Sequence, residues 1–127
     1  MMATMTLRQV RELVEAEVLA GEELLDRPVD KGCGADLLSD VLAVTEEGFL
    51  LVTGMVTPQA VRVAEVMNAC AVLFVRGKRP PPQVVEYAQG AGIPLLATQK
   101  GMFETCGILY GNGLRPTEFR HLSDYAG

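Results

Sequence analysis

Tryptophan is absent, histidine occurs once, and aromatic residues make up 6% of the 127-residue chain. The single histidine is His121, so a Ser/His/Asp or Cys/His site would have to recruit it from the C-terminal segment. The three cysteines, Cys33, Cys70 and Cys106, are an odd number with no C-x-x-C spacing. That pattern argues against a disulfide framework, a zinc site or an iron–sulfur cluster, and no metal or cofactor is expected. No apolar run nears the roughly 18 residues that cross a bilayer. The longest, Ala69 to Val75, reads as a buried strand, and no basic-then-apolar leader opens the sequence. Reduced cysteines without a leader point to the cytoplasm. H-E-x-x-H, G-x-S-x-G and G-x-x-x-x-G-K-[ST] are all missing, which removes the usual P-loop route to kinase chemistry.

What is present suits one folded domain. Hydrophobic residues are 49% and charged residues 21% of the chain, ordinary for a packed core. The expected layout is a single domain over 1–127, with its core at about 6–111 and a polar tail over 112–127. The net charge of −5 repels phosphate backbones, so nucleic acid is not an expected partner.

Local patterns give an alternating order. Thr6 and Gln9 form a capping box that opens a helix carrying Leu7, Val10, Leu13 and Val14. Val18 to Ala20 is a strand candidate and Arg27 to Asp30 another. Gly32-Cys33-Gly34 reads as a flexible turn, and Asp36 as the cap of a short helix through Leu42. From Phe49 to Thr53 a continuous apolar run suits a strand covered on both faces. Thr57-Pro58 then starts a helix with Ala60, Val63, Ala64 and Met67 inward. Strands follow at Ala71 to Val75 and Ile93 to Ala97, separated by a helix that Pro80 to Pro82 open. The last helix carries Phe103, Cys106, Gly107 and Tyr110 at i, i+3, i+4, i+7, read as its inward stripe. Strands alternating with helices predict parallel βαβ units with right-handed crossovers, an α/β three-layer sandwich on a mainly parallel sheet.

In such sheets ligands collect beyond the carboxyl ends of the strands. Those ends read Thr53-Gly54, Arg76-Gly77-Lys78-Arg79 and Thr98-Gln99-Lys100. Each precedes a helix whose first N–H groups favour anions. Thr53, Gly54, Arg76, Gly77, Lys78, Thr98, Gln99 and Lys100 are therefore the candidate site for a small anion such as a nucleotide or phosphate ester. Asp36, Ser39 and Asp40 form a secondary candidate, since carboxylates four apart on a helix can share a cation.

Residues 49 to 110 also carry a recognisable order: strand, T-G turn, helix, apolar strand with a glycine turn before proline, helix, then Gly92-Ile93-Pro94-Leu95-Leu96-Ala97-Thr98 and a helix with an early Phe. This resembles the DRTGG domain, found in phosphotransacetylases and inorganic pyrophosphatases and similar to the N-terminal domain of HPr kinase. Ala91 to Thr98 looks like the family's G-I-P-V-L-x-T stretch, and Phe103-Glu104-Thr105 like the end of its D-T-F-x-T motif. Gly21 to Val29 and Ala35 to Leu42 look like the short stand-alone members found with iron-only hydrogenase genes. The sequence departs from the family at its named motif: the Asp-Arg pair falls near Met55-Val56, T-G-G at Arg76-Gly77-Lys78, and D-T-F at Gly101-Met102-Phe103. The resemblance implies a non-catalytic regulatory module that binds a small anion or nucleotide, or docks on a metabolic or redox enzyme. It also implies a homodimer, for which the N-terminal helix and the tail residues Leu114, Phe119, Leu122 and Tyr125 are the expected contact surfaces. An enzyme acting on a small phosphorylated substrate and a pure assembly module without ligand remain as alternatives.

Overall fold

Alternate residues of the central strands face opposite ways, and this divides the apolar residues between two cores. The computed structural model describes residues 5–120. The strands are β1 (Met5–Thr6), β2 (Glu17–Ala20), β3 (Pro28–Val29), β4 (Lys31–Gly34), β5 (Leu50–Thr53), β6 (Ala71–Phe74), β7 (Leu95–Ala97) and β8 (Arg115–Pro116). The helices are α1 (Leu7–Val14), α2 (Leu38–Val41), α3 (Pro58–Val66), α4 (Pro82–Ala91) and α5 (Met102–Gly111). The main sheet has six strands in the order β2-β7-β6-β5-β4-β8, while β1 and β3 pair separately. β8, β4, β5, β6 and β7 run parallel and only β2 is antiparallel. The three strands expected from apolar runs are thus parallel neighbours, as their short helical crossovers require.

One sheet face packs Leu51, Val72, Phe74 and Leu95 against Val41 of α2, Val61 and Ala64 of α3, and Val84 and Ala88 of α4. The other packs Leu50, Val52, Leu73 and Leu96 against Leu7, Val10 and Val14 of α1 and Leu109 of α5. Helices cover both faces, so the sandwich has three layers, and near-continuous apolar strands are what such burial demands.

α1 starts as its sequence requires. The Thr6 hydroxyl accepts the Gln9 amide, and the Gln9 side chain accepts the Thr6 amide. Three other expectations need correction. Gly32-Cys33-Gly34 is no turn; it lies in β4, in the interior of the sheet between β5 and β8. Its glycines are needed for close approach: a Cβ at Gly34 would lie 3.0 Å from Cys106 Sγ, and one at Gly32 2.8 Å from a Leu114 methyl. On α5 the inward stripe is Met102, Thr105, Cys106 and Leu109, whereas Phe103 is 93% and Tyr110 69% exposed. Finally, the segment from Asn112 to Arg120, expected as a polar tail outside the core, is tied to the sheet. Leu114 is buried, Arg115 and Thr117 donate their amides to Asp30 and Gly32 carbonyls, and Val44 bridges to Phe119. The Glu118 amide donates to Glu46, whose carboxylate is also paired with Lys31. Both contacts hold the Glu46 carboxyl below its ordinary range, the Lys31 hydrogen bond most.

Candidate functional site

The carboxyl ends of β4, β5, β6 and β7 open onto one edge, and the loops there build the candidate site. At the end of β5, Thr53 is fully buried and its hydroxyl donates to Asp36 Oδ1 at 3.1 Å. The Gly54 amide donates to the same oxygen at 2.8 Å, and the Met55 amide donates back to Thr53 Oγ1. Asp36 is therefore not a helix cap. α2 begins at Leu38 with no side-chain cap, and Asp36 ties the end of β4 to the end of β5. The secondary candidate joins the first one at the same edge through this residue. Ser39 and Asp40 are exposed on α2 and make no hydrogen bond to that edge. Among the described residues, no group of three His, Cys, Asp or Glu side chains is placed to hold a metal.

Thr98, at the end of β7, repeats the arrangement. Its hydroxyl donates to the Val14 carbonyl at 2.7 Å and accepts the Lys100 amide at 3.2 Å. Val14 ends α1, so Thr98 satisfies a carbonyl that its own helix leaves without a partner. Both threonine hydroxyls are engaged inside the chain.

Between them, β6 runs into a tight turn in which Arg76 (φ 63°) and Gly77 (φ 70°) are both left-handed. Arg76 lacks the freedom glycine has there, and the strain is held by neighbours: its amide donates to the Lys100 carbonyl and that of Gly77 to the Thr98 carbonyl. Gly77 is required for its left-handed φ, and a Cβ there would also push aside the end of the Gln99 side chain. The turn leaves the side chains of Arg76 and Lys78 exposed. The Lys78 stem lies beside Gly54, 4.0 Å from where a Cβ would stand.

Only part of the expected cationic edge is available. Lys100 pairs with Glu15 at 3.1 Å and Glu104 at 3.8 Å. Arg79 pairs with Glu17 at 2.7 Å, which holds the Glu17 carboxyl below its usual range. Arg76 and Lys78 have no ion-pair partner among the described residues. The helix starts are unequal as well. Thr57 caps α3, whereas Pro80, Pro81 and Pro82 bring no N–H groups to the start of α4. α5 begins at Gly101 with no side-chain cap, and Gly101 lies near the Arg76 side chain. Arg76 therefore coincides with the uncapped start of α5 at the β6–β7 end of the edge, while the Lys78 stem lies toward Gly54 and Asp36. The sequence does not disclose this narrowing, since it depends on pairings with Glu15 at the end of α1 and Glu17 in β2, both distant along the chain.

The DRTGG domain family matches residues 9–111. The chain belongs to that family. A solved structure of similar fold is that of the CBS and DRTGG domains of the regulatory region of Clostridium perfringens pyrophosphatase, complexed with its activator, diadenosine tetraphosphate. Identity is 17% and the TM-score 0.69, over 82% of this chain and 45% of that one. The chain thus spans less than half the length of that neighbour, and the likeness is one of fold. None of the curated proteins matches it. In this DRTGG domain the three stretches that replace the family's named motif all lie on the strand-end edge. Met55-Val56 follows β5, Arg76-Gly77-Lys78 follows β6, and Gly101-Met102-Phe103 starts α5. The cysteines lie elsewhere. Cys33 and Cys70 are buried core residues, so Cys33 is not the loop thiol its glycine neighbours suggested. His121, Leu122 and Tyr125 lie outside the described residues.

Proposed function

We propose that this DRTGG domain is a non-catalytic regulatory module that binds a small anion or nucleotide at the β6–β7 end of its strand edge. The observation that carries the reading is the pair Arg76 and Lys78. Both are exposed and lack a carboxylate partner among the described residues, in a chain of net charge −5. An acidic protein that leaves two cations unpaired on one edge, one of them beside an uncapped helix start, favours a bound anion there. Gly77, Gln99 and Gly101 shape the floor, while Thr53, Gly54, Thr98 and Lys100 hold the loops in place. The similar pyrophosphatase region binds a nucleotide activator, which supports the ligand class. Within a single module of this size, in a reducing cytoplasm, such a site would report a metabolite level to a metabolic or redox enzyme partner.

The homodimer belongs to the same proposal but through a different surface. α1 buries its apolar side within its own subunit, as does Leu114, so neither is left to cover a partner, whereas Phe119 stays 46% exposed. Leu42 and Val66 are 50% and 70% exposed and, with Leu38, Val63, Gln59 and Arg62, line one shallow groove between α2 and α3; Leu37, 65% exposed, stands just before α2. Exposed apolar side chains grouped in this way are commonly covered by a second copy across a two-fold axis.

Calorimetric titration with ATP, AMP and diadenosine tetraphosphate tests the ligand reading. Arg76→Ala with Lys78→Ala should weaken any binding at least about tenfold, a loss of about 1.4 kcal/mol, with little change in Tm. Alanine tolerates the left-handed φ no better than arginine, so the backbone cost cancels. Binding unaffected by the double substitution would reject this site, and turnover of a bound phosphate ester would replace the regulatory reading with an enzymatic one. Light scattering of the protein and of Val66→Glu tests the dimer: a monomeric mass at high concentration rejects it.

A further inference from the structure

The Asp36 carboxylate has one oxygen committed and one free. Oδ1 accepts the Thr53 hydroxyl at 3.1 Å and the Gly54 amide at 2.8 Å, and these two donors hold the group in one orientation. Oδ2 accepts no hydrogen bond and enters no ion pair among the described residues. It lies 3.8 Å, and Lys78 Cδ 4.0 Å, from the point where a Cβ on residue 54 would stand. Residue 54 is glycine, so it puts no side chain of its own into the gap between them. Asp36 and Lys78 are both exposed and opposite in charge, yet they form no ion pair with each other.

An acceptor and a cation on either side of one glycine suit a ligand with two unlike ends. A bare anion is attracted by Lys78 but repelled by Asp36. A bare cation meets the reverse. One carboxylate is also a poor cage for a divalent ion, and among the described residues no group of three ligating side chains gathers here. A phosphate ester that carries hydroxyl groups satisfies both sides: its phosphate faces the cations, and a hydroxyl donates a charge-assisted hydrogen bond to the carboxylate. The ribose of a nucleotide brings such hydroxyls, and a carboxylate is their acceptor in dinucleotide-binding sheets. We propose that Asp36 Oδ2 accepts a ribose hydroxyl and makes the strand-end site selective for ribonucleotides over bare anions and over esters without hydroxyls. This rests on the anion-binding reading of Arg76 and Lys78 and adds the sugar to it. One carboxylate then acts twice: Oδ1 ties β4 to β5, and Oδ2 reads the ligand.

AMP and its dideoxy analogue, which lacks both ribose hydroxyls, are the matched probes. Calorimetric titration of the full chain should give AMP a Kd at least about fivefold lower than dideoxy-AMP, since hydrogen bonds to a charged acceptor are the strong ones. Asp36→Asn keeps an oxygen for Thr53 and Gly54 and puts an amide where Oδ2 stood, so it tests the free oxygen without untying the strands. It should bring the ratio of the two Kd values below about twofold by weakening AMP, while dideoxy-AMP binds as well as before or better because a negative charge is gone. A purely structural role for Asp36 would instead weaken both nucleotides in parallel, and that result overturns the proposal. Equal affinity for the two nucleotides in the unaltered chain overturns it too; if Arg76→Ala with Lys78→Ala then abolishes both, the anion site itself stands. An undiminished ratio in Asp36→Asn, with circular dichroism showing a native fold, also rejects the ribose contact. Failure of either nucleotide to bind rejects the ribose contact and the anion reading together.

Discussion

The Asp36 carboxylate accepts the Thr53 hydroxyl at 3.1 Å, and so joins two adjacent parallel strands just beyond their last sheet residues. The same oxygen takes the Gly54 amide, a donor that would otherwise face the strand-end edge. Asp36 thus fills, from within the chain, the position an incoming anion would take at β5. Removing the side chain should have two effects. Asp36→Ala should destabilise the domain by about 1–2 kcal/mol through the lost charge-assisted hydrogen bonds, with chemical denaturation as the measurement. It should also free the Gly54 amide and strengthen phosphate binding rather than weaken it. Weaker phosphate binding in Asp36→Ala would mean that Asp36 contacts the phosphate itself.

Two buried threonines should respond in opposite directions to the same substitution. Thr98→Val strands the Val14 carbonyl and the Lys100 amide, and should cost about 1–3 kcal/mol. The Thr105 hydroxyl is fully buried and has no hydrogen-bond partner among the described residues, so Thr105→Val removes an unsatisfied group at equal volume. It should raise stability by up to about 1 kcal/mol. Paired denaturation curves decide the matter, and a loss of stability in Thr105→Val would show that its hydroxyl is satisfied in solution.

Burial pushes the Cys70 thiol up from an ordinary 9.0 to about 12. The folded chain therefore holds this proton more tightly than the unfolded one. The associated stability is complete below about pH 9 and is lost as pH rises toward 12. Cys33 and Cys106 are raised by burial in the same direction. Tm should fall steadily above pH 9, and Cys70→Ala should make that fall shallower by a measurable margin. An unchanged slope would mean that Cys70 is not shielded as its burial indicates.

How far the sequence could be read depended on which physical signal each element leaves. β5, β6 and β7 were visible because a strand covered on both faces must be apolar throughout, and glycine or proline marked at least one end of each. α1 was visible through its cap and its clean stripe. β4 was hidden because close contact with α5 and Leu114 demands glycine, and K-G-C-G has the composition of a turn. On α5 two stripes share the i, i+3, i+4, i+7 spacing, one through Phe103 and Tyr110 and one through Met102 and Leu109. Ring size favoured the stripe that is in fact exposed. At the site, the edge itself followed from topology. The division between paired Arg79 and Lys100 and unpaired Arg76 and Lys78 did not, because Glu15 and Glu17 reach them only in three dimensions.

The last strand decides how this sheet can be approached from the side. In β8 the amides of Arg115 and Thr117 point inward to β4, so the outward-facing amide position belongs to Pro116, which has no N–H. A foreign strand arriving along this flank finds no donor at the centre of a pairing surface only two residues long. The flank is thereby closed to β-augmentation and to runaway edge-to-edge stacking. Along this flank, recognition by other molecules is left to side chains rather than to backbone pairing.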